Sequence, residues 1–558
     1  MKTFAVGVLL SLFAVSTVAA PGALPSDVEV KKILADRIDA QGEGVGIVVG
    51  LIDPDGRRIV AHGTLDRDDR TVDGDTLFEI GSATKAFTAL LLADAVARGE
   101  VALGDPVAKL LPSGVTVPER GGKKIALVDL ATHTSALPRL PSNLAPADAS
   151  NPYADYGEKQ LYEFLGGHEL TRDIGIRYEY SNLAPGLLGF ALALRAGTDY
   201  ETLVRTRITG PLGMKSTTIA LGDDLRARLA PGHDREGKRA ANWDFDALAG
   251  AGALRSTAND LLTFLAANLG LVESPLAPAM ASMVKTRRPS GTPGLEIALG
   301  WHVFVRDGRE IVWHNGGTGG YRSFVGFDPK SRAGVVVLSN MFTAAGVDDI
   351  GRHLLDSAIP LAQPPKKRSE IAVDPALLER YAGEYELAPG FLLTVTREGG
   401  RLFAQVTGQP KAEIFAESLK EFFYKVVDAQ ITFEAGESGP ATGLVLHQGG
   451  RDIPAKRVGD AAPPVERKKV AVDPATLDRY TGRYQLAPGF VLTVTRDAER
   501  LFVQATGQPK LEVFAESPKE FYYEVVDAQI TFEAGETGPA LGLVLHQGGR
   551  DMPAKRIE

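Results

Sequence analysis

Cysteine is absent from the 558 residues, which excludes disulfides, thiolate metal sites and cysteine nucleophiles together. Basic residues are in the minority, 61 Lys and Arg against 70 Asp and Glu, for a net charge of -9. Nucleic-acid affinity rests on clustered Lys and Arg, and no basic stripe is present, so no nucleic-acid partner is expected. Beyond the first twenty residues no run is long and apolar enough for a bilayer, so no membrane span is expected in the mature form. The nine histidines include no His-Glu-x-x-His or comparable ligand spacing, and neither a metal nor another cofactor is expected. No Gly-Lys-Ser/Thr ends the one glycine-rich loop, which argues against a phosphate cradle.

Among the features present, the N-terminus comes first. MKTFAVGVLLSLFAVSTVAA carries Lys2, an apolar run from Phe4 to Val15, and small residues ending at Ala19 and Ala20. That is the build of a secretory signal peptide over residues 1–20, so the protein is expected to be exported, periplasmic or secreted.

Self-comparison exposes a duplication. Ala372–Val458 returns without gaps as Ala471–Ile557, with about three quarters of positions identical. Within each copy, short alternating runs such as Leu392–Thr396, Leu402–Val406, Phe422–Val426 and Ala429–Phe433 are punctuated by Gly, Pro and Asp. The pattern predicts about eight strands per copy, closed into two separate small all-β barrels. Pro-rich, charged connectors precede each copy, so domains are expected at 21–362, 363–458 and 459–558.

Residues 28–360 read differently. Val45–Ile52 looks like a strand, Gly334–Leu338 like a buried strand, and Thr84–Arg98 like an amphipathic helix with Phe87, Leu90, Leu91 and Ala95 on one face. Further helices are predicted at Leu161–Phe164, Ala184–Arg195, Tyr200–Ile208 and Ala258–Asn268. Strands at both ends and helices between them predict an α+β domain, an α/β sandwich whose terminal segments join one sheet.

Three short elements in this domain carry chemistry. Ser82-Ala83-Thr84-Lys85 opens a helix, and a lysine three residues after a serine shares its helical face, close enough to accept its proton. Taken alone it reads equally as a helix cap with a solvated lysine. Tyr180-Ser181-Asn182 offers a phenol that can pass protons and a carboxamide that can hold an amide. His314-Asn315-Gly316-Gly317-Thr318-Gly319-Gly320-Tyr321 lies between two apolar runs. Its glycines let a substrate backbone lie against a strand edge, whose free amide can donate to an oxyanion, although a hairpin turn has the same composition.

Together and in this order, the three elements resemble the class C β-lactamase and penicillin-binding-protein family of active-site serine hydrolases. The likeness extends along Gly81–Pro112, Ile125–Pro138, Tyr180–Gly189 and His314–Pro329. It implies a serine β-lactamase-like fold for the catalytic domain, with Ser82 as acylated nucleophile, Lys85 as its activating partner and Tyr180 as acid/base group. It further implies that Asn182, His314, Gly316, Gly317 and Thr318 contact substrate, and that the amides of Ser82 and Gly317 form the oxyanion hole. His314 stands where the lactamases carry lysine, Asn315 replaces a hydroxyl residue, and the stretch from Asn340 shows no basic residue to hold a substrate carboxylate. The tandem barrels resemble those of the D-aminopeptidase branch.

The expected reaction is therefore acyl-enzyme hydrolysis of a small-molecule or peptide substrate, a D-amino-acid peptide, amide or small ester. β-Lactam hydrolysis is the alternative. A protein that binds penicillin or cell-wall fragments without turnover is the contrasting class.

Overall fold

The computed structural model describes residues 23–557 apart from 67–69, 364–367, 389–390, 408–410, 428, 437, 449–450, 461–468, 488–489, 507–509, 525–527, 536–537 and 548–549. The expected signal peptide lies outside the described residues. The chain divides into two compact units that part near residue 364.

The first unit is built on an eight-stranded antiparallel sheet. In chain order its strands are β1 (Gly46–Asp53), β2 (Gly56–Gly63), β3 (Arg287–Pro289), β4 (Leu295–Ala298), β5 (Trp301–Arg306), β6 (Arg309–Gly317), β7 (Arg322–Asp328) and β8 (Ala333–Ser339), arranged β2-β1-β8-β7-β6-β5-β4-β3. The N-terminal hairpin thus docks on the last strand, in the register Ile47↔Ser339 to Ile52↔Gly334. The two terminal segments share one sheet, as their apolar runs implied.

Both faces of that sheet are covered, which explains why β1 and β8 are apolar throughout rather than alternating. Val48, Val336 and Leu338 point into the main core with the helical region, including Leu261 and Leu262 of the Ala258–Asn268 helix. Ile47, Val49, Val335 and Val337 point the other way, against Val30 and Leu34 of the Asp27–Ala35 helix and Ile350 and Leu354 of the Asp348–Leu355 helix. A pleat sends successive side chains to opposite faces, and here each face meets a helical layer.

One expectation is corrected. The Thr84–Ala97 helix is not amphipathic, because every residue from Thr84 to Ala95 is buried. It packs against the Leu183–Ala196 and Ala277–Lys285 helices, and Phe87 stacks at 4.4 Å on Phe264, which in turn stacks on Trp301 of β5. A helix buried on all sides needs no polar stripe. The polar Lys85 within it is thereby marked for another reason.

The second unit holds two closed eight-stranded barrels, with strands from Gly383–Ala388 to Arg451–Gly459 in one and from Gly482–Ala487 to Arg550–Arg556 in the other. First and last strands pair in each, removing both edges. The interiors are filled, by Tyr385, Leu393, Ile431 and Phe433 in the first and their counterparts Tyr484, Leu492, Ile530 and Phe532 in the second. The predicted run Phe422–Val426 is shorter as a strand, stopping at Tyr424, where Lys425 turns to pair with Glu370.

Candidate active site

Local structure brings the three sequence elements together. Phe78–Glu79 pairs with Arg255–Ser256, and the buried carboxylate of Glu79 is held by Arg255 at 3.2 Å and by the Trp243 amide at 3.0 Å. Burial raises the Glu79 pKa against the pull of Arg255. From this anchor the chain makes a tight turn at Gly81–Ala83 and enters the Thr84–Ala97 helix.

The glycines at the turn are required by close approach. Gly81 has φ +48°, and a Cβ there would stand 2.7 Å from the Gly317 nitrogen. A Cβ on Gly316 would stand 1.9 Å from the Ile80 carbonyl oxygen. Ser323 Oγ donates to that same oxygen at 2.7 Å, so the serine turn is clamped to the end of β6 and to β7.

At the centre, Lys85 Nζ and Tyr180 Oη each lie 2.8 Å from Ser82 Oγ. Lys85 Nζ also reaches Asn182 Oδ1 at 3.0 Å and the Ala251 carbonyl at 2.7 Å. Lys85 is 1% exposed. Burial, with the charge of Arg139 added, holds its pKa well below the usual lysine value, which favours the neutral amine. Burial pushes the Tyr180 phenol the opposite way, up, against the hydrogen bond to Ser82. The site therefore pairs an amine that sheds its proton easily with a phenol that keeps one.

Along β6 the hydrogen-bond pattern decides what faces the cleft. Thr318 N donates to Tyr321 O at 3.2 Å, which makes Gly317↔Arg322 a non-hydrogen-bonded pair, so the Gly317 N–H points away from β7. On that side β5 pairs only as far as Trp313↔His302, leaving the edge at 314–317 open. The Ser82 amide belongs to the first helical turn, whose N–H groups lack intrahelical acceptors.

His314 is 1% exposed, Nδ1 lies 2.6 Å from the Asn315 carbonyl, and its ring centroid is 6.5 Å from that of Tyr180. Burial, then the neighbouring His302 and Lys85, keep its pKa well below the usual histidine range, so it is neutral where the lactamase motif carries a charge. Nδ1 accordingly carries the proton, because a carbonyl can only accept. Asn315 faces the opposite side of the sheet and donates to Asp348 at 2.5 Å. Thr318, likewise 1% exposed, sits at the end of the strand. Among the described residues no group of three or more His, Asp or Glu could hold a metal ion, and no helix is long and apolar enough to cross a membrane.

Several residues here carried no readable signal. Tyr153 Oη accepts from Asn182 Nδ2 at 3.0 Å, and its ring stacks on Phe245 at 4.6 Å and meets Trp243 edge-on at 5.5 Å, forming an aromatic wall. Trp243 approaches Gly319, where a Cβ would stand 3.0 Å from its indole nitrogen. His133, at φ 54°, stacks on Tyr180 at 4.7 Å and accepts from the Ser181 amide. Its only trace was its place in the Ile125–Pro138 stretch; Tyr153, Trp243 and Ala251 lie far from every motif.

A serine bracketed by an amine and a phenol, at the seam of an antiparallel sheet and a helical layer, defines the class: a serine hydrolase. Residues 34–358 match the family described as "Beta-lactamase", and the chain belongs to that family. Residues 367–457 and 466–556 each match a domain of unknown function, DUF3471. The chain is 33% identical over 278 residues to the D-alanyl-D-alanine-carboxypeptidase/endopeptidase AmpH of Escherichia coli K12, covering 47% of this chain and 71% of the relative. It is 25% identical over 427 residues to penicillin-binding protein 4* of Bacillus subtilis, covering 70% of this chain and 89% of that one. Among solved structures, a class C β-lactamase from Rhodobacter sphaeroides superimposes with a TM-score of 0.51 at 26% identity, covering 59% of this chain and 98% of that one.

Proposed function

We propose that the protein is an exported hydrolase that cleaves a D-amino-acid peptide or amide, or a small ester, through an acyl-enzyme on Ser82. The observation that carries the reading is that Lys85 Nζ and Tyr180 Oη converge on Ser82 Oγ at 2.8 Å each. The neutral Lys85 amine takes the Ser82 proton as Oγ attacks the carbonyl carbon. The negative charge on the carbonyl oxygen is met by the amides of Ser82 and Gly317. Tyr180, which holds its proton, passes it to the departing nitrogen or oxygen as the bond to the acyl carbon breaks, and is reprotonated from Lys85. Water then attacks the acyl carbon and gives its proton to Lys85, the bond to Ser82 Oγ breaks as Oγ takes a proton from Tyr180, Lys85 reprotonates Tyr180, and the acid leaves.

Asn182 supports this cycle from two sides, holding Lys85 by its oxygen and Tyr153 by its nitrogen. Gly317 offers its free amide at the open strand edge to an extended substrate, Gly316 and Thr318 on either side hold that edge against the Ile80 carbonyl and Tyr321, and the neutral His314 shapes it without supplying charge. The weak match to a carboxylate at that position favours peptides, amides and esters over β-lactams. The barrels are assigned to 363–458 and 459–558 as separate domains, and cell-wall fragments are the partner class that suits an exported enzyme of this kind.

The test is the time course of intact mass for the mature protein mixed with a chromogenic cephalosporin, with small acyl esters and D-amino-acid amides in parallel, beside Ser82→Ala. Cleavage of esters or amides with a transient adduct lost in Ser82→Ala supports the reading. Rapid cephalosporin hydrolysis moves the assignment to a β-lactamase, and a lasting adduct without turnover of any substrate to a binding protein. Labelling that survives Ser82→Ala removes the nucleophile.

A further inference from the structure

The cleft contains a cation that the catalytic cycle does not use. Arg139 is exposed, yet its backbone is pinned: its carbonyl accepts from the Asn182 and Leu183 amides at 2.9 and 3.3 Å, and the preceding Pro138 carbonyl accepts from Ser181 Oγ at 2.6 Å. The guanidinium carbon stands 5.2 Å from the centroid of the Tyr180 ring. Its charge reaches Lys85, His133, Tyr153 and Tyr178, on each of which it acts to lower the pKa.

Three other arginines of this region are engaged with carboxylates, Arg172 with Glu179 at 2.7 Å, Arg288 with Asp129 at 3.0 Å and Arg255 with Glu79 at 3.2 Å, and Arg322 donates to the Thr343 carbonyl at 2.8 Å. Among the described residues no carboxylate is paired with Arg139. With His314 and Lys85 both neutral, Arg139 supplies a permanent positive charge over the ring of Tyr180, and its planar fork suits a carboxylate.

We propose that Arg139 is the specificity-determining residue that holds a free carboxylate on the leaving group, such as that of an amino acid released from a peptide C-terminus. The inference rests on the acyl-transfer reading above. The side is set by Tyr180: it protonates the departing atom, so a cation over its ring borders the departing half of the substrate. The aromatic wall of Tyr153, Trp243 and Phe245 carries no charge of its own and suits an uncharged acyl half.

Two acetyl esters that differ only in the leaving phenol, 3-acetoxybenzoate and 3-acetoxybenzamide, test this. The wild type is expected to favour the anion by about fivefold in kcat/KM, as a partly exposed ion pair allows, with the preference shrinking as salt is added. Arg139→Gln should bring the ratio to about one and Arg139→Lys should keep part of it. A ratio cancels any effect of Arg139 on Lys85, since that acts on both esters. No preference in the wild type, or one that survives Arg139→Gln, overturns the proposal. So does an Arg139-dependent preference for the glutarate monoester of 4-nitrophenol over 4-nitrophenyl pentanoate, which would put the carboxylate on the acyl half. If the wild type cleaves neither acetyl ester, the acyl-transfer reading fails first, and this inference with it.

Discussion

The two units of the chain bury different chemistry. In the first, Glu79, Lys85, Asp129, His133, Arg255, His314 and Asp349 are buried; in the barrels, among the described residues, the buried side chains are apolar or tyrosine. Four of these tyrosines donate to backbone carbonyls, as where Tyr385 donates to the Tyr381 carbonyl and Tyr484 to that of Tyr480, both at 2.8 Å. Burying an ionisable group costs free energy unless it is paired: Glu79, Asp129 and Asp349 are paired with Arg255, Arg288 and Arg37, whereas Lys85, His133 and His314 gather around the Tyr180 ring with no carboxylate partner among the described residues, as groups held for reactivity are. The barrels, with apolar interiors and surface ion pairs, hold no such cluster among the described residues.

The contrast can be broken hardest at the nucleophile. Ser82→Ala is expected to lower kcat/KM for an ester substrate by at least about 10⁴-fold while leaving the thermal transition in place, measured by initial rates and calorimetry. Next in size are the glycines. Gly316→Ala would force a Cβ against the Ile80 carbonyl and should destabilise the first unit by about 3 kcal/mol in urea unfolding. Gly400→Ala in the first barrel, where the nearest atom is Pro375 Cγ at 3.8 Å, should stay within about 0.5 kcal/mol.

A third expectation uses pH. Burial raises the Asp348 pKa from 3.8 to about 6, against its hydrogen bond from Asn315. A carboxyl whose folded pKa is raised is stabilising while protonated, and that contribution is lost as pH rises from 4 through 6. Asp348→Asn should therefore gain stability over the wild type between pH 4 and pH 8, by up to about 2 kcal/mol, read from unfolding midpoints across that range. A gain that does not change with pH would sink the assignment of the titration to Asp348.

The smallest effect lies in the duplication. Lys425 pairs with Glu370 at 2.7 Å and covers the Phe415 ring; at the equivalent positions Glu524 pairs with Lys469 at 2.8 Å, and Lys469 covers Phe514. The charges have exchanged ends while the pair and the cation over the ring persist. Lys425→Glu should lower the barrel's Tm by no more than about 2 °C, since both partners are half-exposed, and adding Glu370→Lys should restore it.

Period-two alternation and regular turn residues made the barrels legible, down to eight strands in each copy. The apolar runs of β1 and β8 were legible as strands, that of β8 as a buried one, though not which layers covered them. The Thr84–Ala97 helix misled because burial on every side erases periodicity. Ser82, Lys85, Tyr180 and Asn182 were readable because local spacing and a family pattern agree on them. Tyr153, Ala251 and Arg139 were not, since each reaches the site from a segment whose own sequence holds no motif, brought there only by tertiary packing. His314 was visible as a residue, but its neutrality follows from burial among His302, Tyr180 and Lys85.

The pairing of β1 with β8 joins segments nearly three hundred residues apart. Such contacts are slow to form because the intervening loop must close first. During synthesis β1 therefore has no partner on its β8 side until residue 339 has emerged, and the two helical layers that cover it have nothing complete to rest on. The first unit stays open almost to its last strand, so its sheet closes only after nearly the whole unit has been synthesised.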